Sequence, residues 1–185
     1  MTIYRNFDNV EGSFAACVGF FDGVHRGHQY LLHHLKASAK EAGLQSAVVT
    51  FANHPRKVVQ PGFDLELIDT FDQRLKKLEF MGIDACFVID FTEEVRRLTA
   101  CEFICNVLSK KMHIVQLLIG YDHRFGHNRE EGFVDYVRYG SECGMEVLQE
   151  PVFNDGSGLQ YSSSKVRRAL KSGDTELARQ LLGWD

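Results

Sequence analysis

The sequence has no run long and apolar enough to cross a bilayer, and no basic start followed by the long apolar stretch of a secretory signal. It also lacks an excess of positive charge: 21 Lys and Arg against 25 Asp and Glu give a net charge of −4 with histidine neutral. A general nucleic-acid binder presents a basic face to the phosphate backbone, so that class is excluded, as is membrane insertion. Any anionic ligand must be gathered by a local cluster of donors. Cysteine is scarce and odd in number. Cys17, Cys86, Cys101, Cys105 and Cys143 contain no CxxC pair and read as reduced residues of a cytoplasmic protein. Internal repeats, low-complexity tracts and Pro- or Gly-rich linkers are missing too, so residues 1–185 are expected to form one domain. What is present, 44% hydrophobic residues against 25% charged, suffices for a full core.

Short β-branched or aromatic-rich runs alternate with stretches of helical period. Strands are predicted over residues 14–20, 45–51, 85–90, 114–119 and 146–149. Between the first two, Leu31, Leu35, Ala39 and Ala42 recur at helical spacing and Gly43 stops the helix. Thr70 with Gln73 and Thr99 with Glu102 have the spacing of capping boxes and mark two more helix starts. A helix follows the loop 122–132, and two short ones start near Ser163 and Asp174. Strands alternating with helices imply an α/β fold, an open Rossmann-like parallel sheet with helices on both faces. Such sheets bind ligands beyond the carboxyl ends of their strands. The unusual residues fall there: 22–28 after the first strand, 53–56 after the second, 122–129 after the fourth and 161–168 after the fifth.

The segment Gly19-Phe20-Phe21-Asp22-Gly23-Val24-His25-Arg26-Gly27-His28 joins a buried strand to a helix through a glycine-containing turn. Free backbone N–H groups and the positive end of a helix dipole make such a junction a phosphate site. His25 and His28, three apart across the helix start, can point to one side, and Gly27 lets a ligand approach the backbone. Paired imidazoles there can donate hydrogen bonds to a phosphate whose charge changes during displacement at phosphorus. Two solvated histidines or half a zinc site are the competing readings; zinc pairs on a helix usually have spacing four and a matching glutamate. In 50–56, Pro55 fixes a rigid turn and Arg56 offers a charged donor fork. In 120–129, Phe125 in a glycine-bounded loop can present a flat apolar face or simply plug the core. In 161–168, hydroxyls at a helix start can cap it or donate to phosphate, and Arg167 adds a charged donor fork.

The HxGH motif after a strand resembles the nucleotidyltransferase superfamily, and Phe21-Asp22-Gly23-Val24-His25-Arg26-Gly27-His28 is similar to its FAD synthetase branch. Thr50-Phe51-Ala52-Asn53-His54-Pro55-Arg56 resembles that family's Thr-Phe-x-Pro-His-Pro loop, with Ala52 and Asn53 where an acid and a proline are usual. Gly120-Tyr121-Asp122-His123-Arg124-Phe125-Gly126 resembles Gly-x-Asp-Phe-x-Phe-Gly, with His123 in place of the first phenylalanine. Tyr161-Ser162-Ser163-Ser164-Lys165-Val166-Arg167 resembles Ile-Ser-Ser-Thr-x-Ile-Arg, and residues 98–103 and 181–183 also look like family segments. The resemblance implies transfer of AMP from ATP to FMN, giving FAD and pyrophosphate. By the same resemblance His25, His28 and Arg167 are catalytic. Gly19, Phe20, Asp22, Gly27, Ser163 and Ser164 bind ATP, and His54, Pro55, Arg56, Asp122, Phe125 and Arg129 bind the flavin.

Mg2+ is the implied phosphate-bridging ion, with no protein ligand assigned to it. No riboflavin kinase domain is expected in these residues; a separate riboflavin kinase is one source of FMN. A natural single-module enzyme and a fragment of a longer chain both stay open; the ending Gly183-Trp184-Asp185 departs from the family's usual linker, which leans the expectation toward the first. Two alternatives stay open: an HxGH enzyme acting on another phosphorylated small molecule, and a non-catalytic nucleotide or flavin binder.

Overall fold

The computed structural model describes residues 1–60, 62, 65–121, 123–127 and 130–184. Its centre is a six-stranded, wholly parallel sheet built from β1 (Thr2–Tyr4), β2 (Phe14–Val18), β3 (Gln45–Phe51), β4 (Ala85–Ile89), β5 (Ile114–Gly120) and β6 (Glu146–Glu150), in the order β1-β4-β3-β2-β5-β6. The connections are helical: α1 (Arg26–Ala42) after β2, α2 (Pro55–Val59) and α3 (Phe71–Phe80) after β3, α4 (Glu93–Arg97) and α5 (Ala100–Glu102) after β4, and α6 (Phe133–Glu142) after β5. The segment α5 runs into a π-helical stretch, Phe103–Ser109, and the chain closes with α7 (Ser163–Lys171) and α8 (Thr175–Leu182). Among the described residues, no helix is long and apolar enough to cross a membrane.

Alternation along the strands divides the core in two. Phe14, Ala16, Val49, Phe87, Leu117 and Ile119 pack on one face against Ile104 and Leu108 of the π-helical stretch and Tyr136 of α6. Ala15, Cys17, Val48, Cys86, Val88 and Leu118 pack on the other against Leu32 and Leu35 of α1 and Leu75 and Leu78 of α3. Strands buried on both faces have no polar side to show, which explains their nearly continuous apolar sequence. The sheet's centre lies between β3, β2 and β5, where order changes direction: β2 is followed in sequence by β3 on one side, and β5 joins it on the other. That reversal opens a crevice at the carboxyl end of β2.

The predicted strand 45–51 coincides with β3, and Gly43 caps α1 in the left-handed conformation, φ 68°. Both capping boxes are formed, at Thr70/Gln73 and Thr99/Glu102. The first strand is shorter than the predicted 14–20. Its pairing ends at Val18, although Gly19 N–H still donates to Val49 O at 3.0 Å, because the chain swings away through Phe21 at φ 58°. Two elements were not expected: β1, a three-residue edge strand with no pattern of its own, and α2, which begins at Pro55 with His54 as its N-cap.

Candidate active site

The site starts from a strained turn. After β2 the backbone takes positive φ at Phe21 (58°), Gly23 (80°) and Val24 (41°), and α1 begins two residues later. Positive φ is costly for a β-branched residue such as Val24 and persists only where surrounding contacts fix it. The reversal puts His25 at the N-cap of α1 and His28 on its first turn. His25 Nδ1 accepts the His28 backbone N–H at 3.4 Å. A neutral His25 therefore keeps its proton on Nε2.

The two imidazoles stack, with centroids 3.7 Å apart and planes 21° apart, and His28 lies edge-on to the Phe21 ring at 5.1 Å. Burial pushes His25 down to about 4 and His28 well below the usual histidine range; the neighbouring His25 and His123 lower His28 further. Both rings are thus neutral N–H donors near pH 7. His28 Nδ1 is buried without a hydrogen-bond partner among the described residues, an open position for a ligand or water. The space left by Gly27 is taken by the His25 ring and Tyr161 Cβ, each 3.3 Å from where its own Cβ would stand.

Asp22 joins this turn to α7. Its carboxylate, buried at 3% exposure, accepts the Ile68 N–H at 3.0 Å, the Asp69 N–H at 3.2 Å and Arg167 Nη1 at 3.1 Å. The Asp22 carbonyl accepts the Ser163 hydroxyl at 3.0 Å. Ser162, not Ser163, caps α7 through the Lys165 N–H, and Ser164 is exposed in the first turn. The N-terminal ends of α1 and α7 consequently meet at Asp22, so two positive dipole ends, two neutral imidazoles and Arg167 share one place. Asp22 itself has its acceptors committed to protein donors, so it is a brace for the cradle. Among the described residues no three His, Cys, Asp or Glu side chains group as metal ligands.

Beside the cradle, Phe20 lies beneath the Arg74 guanidinium at 3.9 Å and edge-on to His54 at 4.4 Å. Arg74 is almost fully buried and donates to Phe51 O at 2.7 Å, while its Nε has no partner among the described residues. Desolvation lowers the pKa of this guanidinium and nearby Asp22 partly restores it. Asn53 pairs both ways with the Phe91 backbone, at 2.8 and 3.0 Å, and stitches the ends of β3 and β4 together. Pro55 opens α2, and exposed Arg56 donates its N–H to His54 Nδ1 at 3.1 Å.

Phe125 stacks on Tyr136, with centroids 4.3 Å apart and planes 10° apart, and meets Phe103 edge-on. With Phe51, Phe91, Leu98 and Phe103 it lines an apolar pocket of about 60 Å³. One face of the ring is therefore used in packing. Asp122 and Arg129 lie outside the described residues. Of the sequence-derived site residues, His25, His28, Asp22, Ser163 and Arg167 come together directly, while Phe20 and His54 form a separate contact, with Phe20 under Arg74. Arg74 was missed; its one signal is a charged residue on the apolar side of α3, one turn before Leu78.

A family model described as FAD synthetase matches residues 8–165. The bifunctional riboflavin kinase/FMN adenylyltransferase of Listeria monocytogenes serovar 1/2a is 32% identical over 168 residues, covering 90% of this chain and 52% of that protein. Its namesake from Escherichia coli K12 is 32% identical over 166 residues, covering 90% and 53%. The chain thus spans about half the length of these curated relatives. Among solved structures, a macrolide-efflux protein from Streptococcus pneumoniae superposes with a TM-score of 0.85 at 27% identity, over 98% of this chain and 61% of that one. Thermotoga maritima TmcAL, bound with alpha-thio ATP, shares the fold at a TM-score of 0.55 and 12% identity, over 91% of this chain and 52% of that one.

Proposed function

Because the chain belongs to the FAD synthetase family, we propose that it transfers AMP from ATP to FMN. An oxygen of the FMN phosphate attacks the α-phosphorus of ATP, the bond from that phosphorus to the bridging oxygen breaks, and FAD and pyrophosphate leave. The FMN phosphate is already anionic, so no general base is needed. What the protein must supply is in-line alignment and stabilisation of charge added at the α-phosphate and the leaving group. The observation that carries the reading is the convergence of neutral His25 and His28 with Arg167 and Ser163 of α7 on one turn.

In this reading the His25 and His28 N–H groups bind the ATP phosphates, and Arg167, Ser163 and Ser164 approach the β- and γ-phosphates from α7. Arg167 has five N–H donors, and its bond to Asp22 aims the rest of the fork. Gly19 and Phe20 line the approach from β2, and Gly27 keeps the backbone of α1 compact beside His25. The loop with His54, Pro55 and Arg56, and the apolar pocket at Phe125, lie on the flavin side, with Asp122 and Arg129 proposed for its polar atoms. Magnesium would accompany ATP and neutralise charge on its phosphates, a role that asks for few protein ligands. A riboflavin kinase, in this protein or separate from it, supplies the FMN, and a cytoplasmic setting fits both substrates.

The test is a magnesium-dependent assay with ATP and FMN, riboflavin or pantetheine phosphate, following dinucleotide and pyrophosphate together. FAD and pyrophosphate in equal amounts from FMN are expected, and no dinucleotide from riboflavin, which lacks the phosphate nucleophile. Turnover only with another acceptor overturns the flavin assignment. ATP binding without turnover on any of them overturns the enzymatic one.

A further inference from the structure

We propose that Trp184 is a positioning residue for the phosphate cradle, a latch that holds the strained turn from Phe21 to Val24 in the shape that presents His25 and His28. This deepens the adenylyltransferase reading above and rests on it. The turn has two non-glycine residues at positive φ, Phe21 and Val24, so its geometry must be imposed from outside. The donors that impose it come from Trp184 after α8, from Gln29 of α1 and from Lys77 of α3. Trp184 Nε1 donates to both Gly23 O and Val24 O, each at 3.0 Å. Gln29 Nε2 bridges Val24 O at 2.9 Å and Leu182 O at 2.8 Å, tying the first turn of α1 to the last turn of α8.

Gly183 ends α8 at φ 69°, which turns Trp184 back toward the cradle, and any Cβ at that position would stand 2.8 Å from Arg26 Cγ. The indole is then wedged in place by Phe80, edge-on at 5.7 Å, and by the Lys77 ammonium at 5.6 Å from its ring. Lys77 also reaches Gly23 O at 3.4 Å. The Gly23 and Val24 carbonyls are thus both occupied, and the Val24 N–H donates within the turn to Phe21 O at 3.1 Å, so the backbone leading into His25 is held by hydrogen bonds. Among the described residues Trp184 makes no hydrogen bond or ring contact with either histidine, and its hydrogen bonds go to the backbone before them. Without its N–H, two carbonyls lose a shared donor and the turn can relax toward negative φ, which swings His25 off the N-cap position.

Trp184 is the sole tryptophan, so replacing tryptophan biosynthetically alters this site alone. Two variants test the latch: Trp184→Phe, and the full chain carrying benzothienylalanine, which keeps the indole's outline with sulfur in place of N–H. Each is measured for ATP affinity by calorimetry, for the KM of ATP and of FMN, and for thermal unfolding. The expected result is that ATP affinity and kcat/KM for ATP fall about tenfold, the worth of one hydrogen bond. The KM for FMN should stay within twofold and the unfolding midpoint should move by only a few degrees.

If Trp184→Phe fails to fold, the benzothienyl chain decides, since its shape is unchanged. Wild-type ATP affinity and kcat/KM in that chain overturn the latch, and so does an equal loss for ATP and FMN that follows a fall in the melting midpoint. Should the unaltered protein make no FAD, the adenylyltransferase reading fails by itself, and ATP calorimetry still tests the latch.

Discussion

His28 sits buried with its Nδ1 unpartnered among the described residues, its ring between His25 and Phe21, in a place no solvated surface histidine occupies. Replacing it by alanine removes one of the two N–H donors proposed to bind the ATP phosphates. By comparison with lost oxyanion donors, kcat should fall about 10²–10³-fold with folding retained, which a single-turnover assay of FAD formation measures. The histidines also leave a mark on stability. Burial holds His25 down to about 4 in the folded protein, while in the unfolded chain it titrates near its ordinary 6.5. Between those values the unfolded state binds more protons. Folding is therefore undiminished above pH 6.5 and loses stability as the pH falls from 6.5 toward 4, by about 3 kcal/mol for this group. Urea unfolding at pH 7 and pH 4.5 should show at least that drop, and His25→Gln should lessen it, leaving the part that belongs to buried His28. At this scale the sequence was informative where chemistry is local: His25, Gly27 and His28 are neighbours in the chain and in space. Arg74 and Trp184 were not legible as site residues, because their partners lie 23 and 160 or 161 residues away and no spacing rule encodes such a contact.

At the scale of elements, the cradle depends on α7 being held to the turn after β2. Asp22 does this with its carboxylate on Arg167 and its carbonyl on Ser163. Asp22→Ala leaves a partly buried guanidinium and two N–H groups without their acceptor. About 3 kcal/mol or more should be lost in denaturant unfolding, and the KM for ATP should rise. In a double-mutant cycle with Arg167→Ala the two losses in kcat/KM should be strongly non-additive, since either change breaks the same ion pair. A simpler element check is Thr70→Ala, which removes one half of the α3 capping box and should cost about 1 kcal/mol in the same unfolding assay, without altering kcat.

Helix starts were legible from sequence because a cap is a contact between residues three apart. Strand β3 was legible because its seven residues are bounded by turn chemistry on both sides. Strand β1 was not. Its three residues have no periodicity, and they become a strand only because β4 offers them a free edge. The early end of β2 was equally hidden, since the turn at Phe21 is imposed by tertiary contacts and not by propensity. Asn53, a departure from the family's loop, finds its explanation here as well: its side chain ties β3 to β4 at Phe91.

For the whole molecule, the fold places ligand chemistry at a reversal of strand order, with helices α1 and α7 closing on it and two apolar layers holding the sheet rigid beneath. Rigidity matters because the reaction asks for alignment more than for acid–base work. A neutral histidine pair needs no proton to be useful, so the kcat for FAD formation should be flat in any histidine-dependent sense between pH 6 and 8. The central claim is that this arrangement makes FAD from ATP and FMN. The measurement that tests it most directly is the simultaneous yield of FAD and pyrophosphate from ATP, magnesium and FMN, in wild type and in His28→Ala. One pyrophosphate per FAD is expected in wild type, and a loss of about 10²–10³-fold in the variant. FAD formation at the wild-type rate in His28→Ala, or pyrophosphate released without FAD, would contradict it.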